Sequence, residues 1–175
     1  MPEASGFDFE WRLSVAEVHA SGPFSRFAGI DRTLAVLNGS MSLAIDRQGP
    51  LEIRARSPAL SFSGEAITVA DVVEPVTDVN LMTRHGLFQG TLEWIDLAGP
   101  ATIGDQHADI VILVVDPVLL RGSLLEPFDA VWCKPGHPAV VQPMNESAYL
   151  LLARIRRIGD ASGMRLGSLP GQPVG

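Results

Sequence analysis

Thiols and lysines are almost absent: the 175 residues contain one cysteine, Cys133, and one lysine, Lys134. A lone thiol cannot form an internal disulfide, which excludes the stapled scaffold of a small secreted domain. No apolar run approaches the roughly 20 residues that a membrane helix needs. The longest, Ile110 to Val115, stops at Asp116 and Pro117. Met1 to Gly6 carries Glu3 and has neither a basic start nor an apolar stretch, so it does not read as a secretory leader. A cytoplasmic protein is the expectation, with no membrane partner. Positive charge is scarce as well: the formal net charge is −7, and the sequence pI is near 5.0. That balance repels a phosphate backbone, and no basic stripe interleaved with aromatics overrides it, so nucleic acid is not expected as a partner. The twelve arginines match the bias of a GC-rich genome; their positions are informative and their abundance is not.

Catalytic signatures are missing too. There is no HExxH helix, no GxSxG elbow, no GxxxxGK[ST] loop and no GxGxxG turn. The histidines, His19, His85, His107 and His137, are scattered, and no two stand two apart, as a metal-binding strand would require. The best metal candidate is Asp105, His107 and Asp109, which an extended chain aims to one side; the bland alternative is a solvated strand lip. Cys133 and His137 have the types of a thiolate pair, but Cys133 reads better as a small apolar residue closing a buried strand. No cofactor and no metal are expected, and an enzyme is the less favoured class.

What the chain does have is β patterning over 46% hydrophobic content, enough for one sizeable core. Phe9, Trp11, Leu13 and Val15 alternate with Glu10, Arg12 and Ser14, the period of a half-buried strand. Thr33 to Leu37 and Ser40 to Ile45 flank Asn38-Gly39, which predicts a type I′ hairpin between paired strands. Further strands are expected at 51–55, 60–62, 67–69, 79–82, 87–95, 110–115, 119–124, 130–133 and 149–158, and long helices nowhere. That many short strands leave exposed edges unless the sheet closes or doubles, so an all-β barrel or jelly roll follows. Residues 1–158 are expected to form one domain, and 159–175, rich in Gly, Ser and Pro, an extended tail.

Two polar constellations stand out. The stretch Ser21 to Arg32 combines Phe24 and Phe27 with charges and permissive backbone, and can wall a pocket or plug a barrel end. In Asp78 to Arg84, alternation sends Asp78, Asn80, Met82 and Arg84 to one face and Val79 and Leu81 to the other. If the apolar pair packs between sheets, the polar set lines a surface or a cavity.

These stretches, with Trp11 to Val18 before them, resemble the HutD/Ves family. Its pattern reads W-R-x-S-x-A-x-V, then G-P-F-S-x-F-x-G-x-D-R, then F-x-G, then D-x-N-x-M-x-R. This chain matches it at Trp11, Arg12, Ser14, Ala16 and Val18; at Gly22 to Ser25, Phe27, Gly29, Asp31 and Arg32; at Phe62 and Gly64; and at Asp78, Asn80, Met82 and Arg84. It departs at His85, where relatives often carry a second arginine. The resemblance implies a cupin-type (RmlC-like jelly-roll) double barrel; many cupins hold a metal on paired histidines, a pair that this chain lacks. It also implies a regulatory or accessory role in histidine utilisation. The resulting expectation is a protein that binds a small carboxylate, such as a formylated glutamate, formate or urocanate. Arg12, Arg32 and Arg84 are candidates for the carboxylate, because a guanidinium fork grips it with parallel charged bonds; Ser25 and Asn80 would orient the ligand. Phe24, Phe27, Phe62 and Met82 would form the pocket wall. Each arginine has a structural alternative as partner of Asp31 or Asp78. The rival function is a cupin isomerase or hydrolase of a small acid with His85 or His107 as acid–base group, and a third is an assembly module. A homodimer is expected on frequency alone.

Overall fold

The structure, a computed structural model, describes residues 9–158, so the expected tail at 159–175 lies outside the described residues. Sixteen strands and no helix are found among them, arranged in four antiparallel sheets of four strands. In the first sheet β1 (Trp11–Val18), β8 (Val76–Arg84), β3 (Ile30–Asn38) and β6 (Leu60–Ser63) lie side by side. In the second the order is β2 (Gly22–Pro23), β7 (Thr68–Asp71), β4 (Ser40–Ile45) and β5 (Leu51–Arg54). The third holds β14 (Ala130–Cys133), β11 (Asp109–Val114), β16 (Ala148–Arg157) and β9 (Phe88–Leu97). The fourth holds β10 (Ala101–Ile103), β15 (Ala139–Pro143), β12 (Val118–Leu120) and β13 (Ser123–Leu125).

Three apolar layers hold these sheets together, and alternation explains which residue joins which. Leu34 and Val36 of β3 meet Met41, Leu43, Ile45, Ile53 and Ala70 of the second sheet, closing a first barrel. Ile110, Ile112 and Val114 of β11, with Leu150 and Leu152 of β16, meet Val118, Ala139 and Val141, closing a second. The odd-numbered face of the first sheet supplies Leu13, Ala35, Val79 and Leu81 to a middle layer. There they pack on Leu92, Val111, Leu113, Leu151, Ala153 and Ile155 of the third sheet. Val79 and Leu81 therefore do pack between sheets. This leaves the even-numbered residues of β8 facing the first barrel's interior.

Some sequence expectations fail for local reasons. The Asn38-Gly39 hairpin does not form. β3 pairs with β8 and β6, whereas β4 pairs with β5 and β7, so the two strands belong to different sheets. Gly39, at φ +82°, turns a barrel corner, and the ladder of β3 is already irregular between Val36 and Asn38. The positive-φ dipeptide is a real bend signal, but it does not specify that the flanking strands pair. The expected strand 119–124 is itself a hairpin, β12 to β13, turned by Arg121 and Gly122 at positive φ. β2, β10 and β15 are short and bounded by Gly or Pro, which hid them from the periodicity.

The middle layer couples the barrels, and Leu81 is fully buried in it. Leu81→Ala is expected to cost about 2–5 kcal/mol, with no collapse into the gap. Urea unfolding should show the loss as one cooperative transition moved to lower denaturant.

Candidate functional site

Register alone places a polar cluster inside the first barrel. Arg12, Met82 and Arg32 stand abreast on β1, β8 and β3, followed one pleat on by Ser14, Asn80 and Leu34, and then by Ala16, Asp78 and Val36. Leu34 and Val36 enter the apolar core. Ser14, Ala16, Arg32, Asp78, Asn80 and Met82 instead line a cavity of about 440 Å³, closed on its other side by Gly22 to Ser25 and Phe27. Glu17 and His19, paired at 3.1 Å and exposed, line it as well.

Arg32 is only 4% exposed. Its guanidinium carbon lies 5.1 Å from the ring centroid of Phe24, 5.4 Å from that of Phe27 and 5.2 Å from that of Phe62, three faces suited to a cation. The Asn80 amide oxygen accepts from Nε and Nη2, the orientation in which that amide meets donors with its acceptor. The Ser25 carbonyl accepts from Nη1 at 3.2 Å. Burial pulls the guanidinium down to about 10, a loss partly offset by the charge of Asp78, so it stays charged at neutral pH. Of the five N–H groups of the guanidinium these acceptors take three, and Arg32 lines the cavity.

Asp78 is 3% exposed and also faces the cavity. Among the described residues no hydrogen bond or ion pair reaches its carboxylate, which feels Arg32 only through space. Desolvation raises the carboxyl from its ordinary 3.8 to about 6, against the opposing pull of Arg32.

The structure gathers Ser25, Arg32, Asn80, Phe24, Phe27 and Met82 at one cavity, with Phe62 behind Arg32. Ser25 contributes its carbonyl to Arg32. Arg12 and Arg84 share the strand face but are exposed and lie outside the lining. Asp31 pairs with His85 at 2.9 Å on the surface, not with an arginine. Ser14, Glu17, His19 and the unpartnered state of Asp78 were missed. The alternation of β1 carries the signal for Ser14, whereas the pairing of Asp78 depends on tertiary geometry.

The other sequence candidates find different uses. Asp105 Oδ1 accepts from the amides of His107 and Ala108, its Oδ2 pairs with Arg154, and Asp109 accepts from Trp132 Nε1. The three side chains therefore do not converge on an ion. Nor does a cupin-type metal fit the cavity, whose wall holds the buried guanidinium of Arg32. Among the described residues no group of three His, Cys, Asp or Glu is placed to hold one. Cys133 ends β14 buried, its thiol pushed up chiefly by desolvation, and His137 turns to the Pro135 carbonyl at 3.0 Å. A recess beside it in the second barrel, about 420 Å³, has an apolar floor, and its charged neighbours Arg121 and Lys134 are exposed.

Comparison with known proteins gives the family and the fold. A family model described as HutD matches residues 1–150. The chain belongs to the HutD family. A curated relative, the "Uncharacterized 21.2 kDa protein in hutC 3'region" of Pseudomonas putida, is 37% identical over 50% of this chain and 47% of its own length. The chain thus spans about half of that relative. Protein Ves of Cronobacter sakazakii is 26% identical over 74% of this chain and 71% of its own. Among solved structures, a conserved protein of unknown function from Pseudomonas aeruginosa PAO1 superposes with TM-score 0.73 at 26% identity, covering 86% of this chain and 85% of that one. HutD from Pseudomonas fluorescens SBW25, described in a formate condition, gives 0.72 at 24%, covering 91% and 87%. A cupin 2 conserved barrel domain protein from Leptotrichia buccalis gives 0.57 at 10%, over 84% of each chain, a likeness of fold.

The HutD motifs that looked separate in sequence build one box here. Phe24, Phe27 and Phe62 surround Arg32. Gly64 lets the loop close, since a Cβ there would sit 2.6 Å from the Phe27 carbonyl and 2.8 Å from that of Ile30. Asp78 in this box makes stability depend on pH. The unfolded chain releases the proton near 3.8 and the folded one near 6, so stability falls as pH rises through that window. Asp78→Asn should therefore be the more stable protein at pH 7.5, by about 1–3 kcal/mol, with the gap closing near pH 4. Urea unfolding at both pH values measures it, and an unchanged gap would contradict the burial cost.

Proposed function

We propose that this protein binds a small carboxylate inside its first barrel and acts in the cytoplasm as an accessory or regulatory protein of histidine utilisation. The observation that carries the carboxylate reading is Arg32: a guanidinium in the wall of a cavity, boxed by Phe24, Phe27 and Phe62, with two N–H groups that meet no protein acceptor. A pre-positioned fork is what selects a carboxylate over other small solutes. Asn80 and Ser25 fix the plane of the fork, so the ligand meets it already oriented. Phe24, Phe27 and Met82 supply apolar wall for a short carbon chain. Arg12 and Arg84, on the same strand face but outside the lining, suit attraction of an anion toward the opening.

The enzyme reading has less to stand on. Asp31 orients His85, but the pair is exposed and outside the cavity, and the His107 amide is tied to Asp105. The role in histidine utilisation rests on family membership and on the names of the relatives.

Calorimetric titration with formate, urocanate and N-formylated glutamate tests the proposal. At least one is expected to bind below millimolar concentration, and Arg32→Lys should weaken that binding at least about tenfold, because a lysine keeps the charge and loses the fork. Arg12→Ala and Arg84→Ala should weaken it less than Arg32→Lys does. If none of the three acids binds in that range, the carboxylate reading is lost.

A further inference from the structure

We propose that Asp78 is the second ligand-reading group of the Arg32 cavity, and that the site selects small acids that carry an N–H or O–H donor beside the carboxylate. This deepens the carboxylate reading and rests on it.

The argument starts from an unmet acceptor. Asp78 is 3% exposed and lines the cavity, and among the described residues nothing donates to it. Its oxygens reach the cavity and not a protein donor, so what enters the cavity decides how they are met. A purely structural role would make Asp78 the counter-ion of Arg32. Counter-ions of buried guanidinium groups sit in contact, usually through two parallel bonds. Here the contact positions on Arg32 are taken by neutral acceptors, the Asn80 amide and the Ser25 carbonyl. Asp78 stands off, abreast of Val36 on the cavity face of β8 and four residues from Met82, the neighbour abreast of Arg32.

The cavity thus offers a guest two unlike surfaces. In its wall stand Arg32, two of whose N–H groups meet no protein acceptor, and Asp78, whose carboxylate meets no protein donor. A bare carboxylate answers the first and worsens the second, since two carboxylates brought close repel unless a proton is shared. A hydroxy or amino acid answers both. An ammonium group also balances charge, because ligand carboxylate faces Arg32 while ligand cation faces Asp78.

Donation to Asp78 is strongest when it is ionised, because a bond to a carboxylate is roughly twice as strong as one to a neutral acceptor, and this gives the proposal a pH signature. The other titratable side chains lining the cavity are Arg32 from β3, and Glu17 and His19 from the β1 end. Arg32 keeps its charge at neutral pH; His19, paired with Glu17, sits at the exposed side. The advantage of a donor-bearing acid should therefore grow as pH rises past about 6, where Asp78 ionises.

The test is NMR titration of the full chain with butanoate, 2-hydroxybutanoate and 2-aminobutanoate, three acids on one carbon skeleton, at pH 5 and pH 7.5. At pH 7.5 the hydroxy and amino acids are expected to bind at least about fivefold tighter than butanoate, with a smaller advantage at pH 5. Asp78→Leu should abolish the preference. Asp78→Asn, which keeps the shape and a neutral acceptor, should retain the hydroxy acid's advantage and lose its pH dependence. Repeating the series in His19→Gln removes any contribution of that ring to the preference. Equal affinity for the three acids at pH 7.5 would overturn the proposal while leaving the carboxylate reading intact. So would a uniform gain at pH 5, because Asp78 would then be acting as a protonated donor to the carboxylate. Failure of all three to perturb the signals of Arg32 and its neighbours would remove both readings together.

Discussion

The constraint on which the first barrel turns is the burial of one positive charge. A guanidinium taken out of water costs several kcal/mol unless its hydrogens and its charge are met, and the surroundings of Arg32 are arranged for that. Phe24 and Phe27 come from the segment after β1, Phe62 from β6, Asn80 from β8 and the accepting carbonyl from Ser25. Phe24, Ser25 and Phe27 share one loop, whereas Phe62 and Asn80 are distant from it in sequence. They meet because β3 lies between β8 and β6, and because Gly64 allows the Phe27 loop to lie against it. Placement of the box is therefore a property of sheet topology.

The two barrels divide the work. The second is filled by branched aliphatic side chains from both of its sheets and exposes its charges at the surface. The first gives up part of its interior to Arg32, Asp78 and Asn80, groups that add little net stability when buried. The middle layer offsets this, because each leucine or valine withdrawn from water there contributes about 1.5–3 kcal/mol. A polar-lined barrel of this size would be a poor free-standing domain; back to back with a dry one it can hold a cavity open.

Period-2 alternation made much of this legible in the sequence. Asp78 to Arg84 showed two faces, one apolar and one polar, and the structure puts the apolar face between barrels and the polar face inward as far as Met82. Phe24, Phe27 and Arg32 were recognisable as pocket material for the same reason that they form a box: bulky rings and one cation on a constrained loop and the strand that follows it. Pairing partners were not legible. Asn38-Gly39 carried the local marks of a hairpin, yet the hydrogen bonds of β3 and β4 go to other strands. Local backbone preference says that the chain bends, whereas a barrel corner and a hairpin differ only in what lies alongside. The same limit applied to Arg12 and Arg84. Alternation put them on the site's face, but the curvature that leaves them outside the cavity is set by the whole sheet.

Charge alone would make this a poor receptor for an acid, since the chain carries a net −7. Attraction over distance is weak at physiological salt, where fields decay within about 8 Å, so selectivity has to arise at contact. Near neutral pH, Arg32 and an ionising Asp78 roughly cancel, so the cavity wall offers a guest hydrogen-bonding groups more than net charge. A site in that condition discriminates by pattern: a guest that leaves either group unmet forfeits about 1–3 kcal/mol, which separates close analogues better than a single strong cation does. The same imbalance makes the unliganded barrel less stable than it would be with Asp78 neutral. Under the proposed function, a guest that meets Asp78 would stabilise the barrel by linkage, so occupancy and stability would rise together.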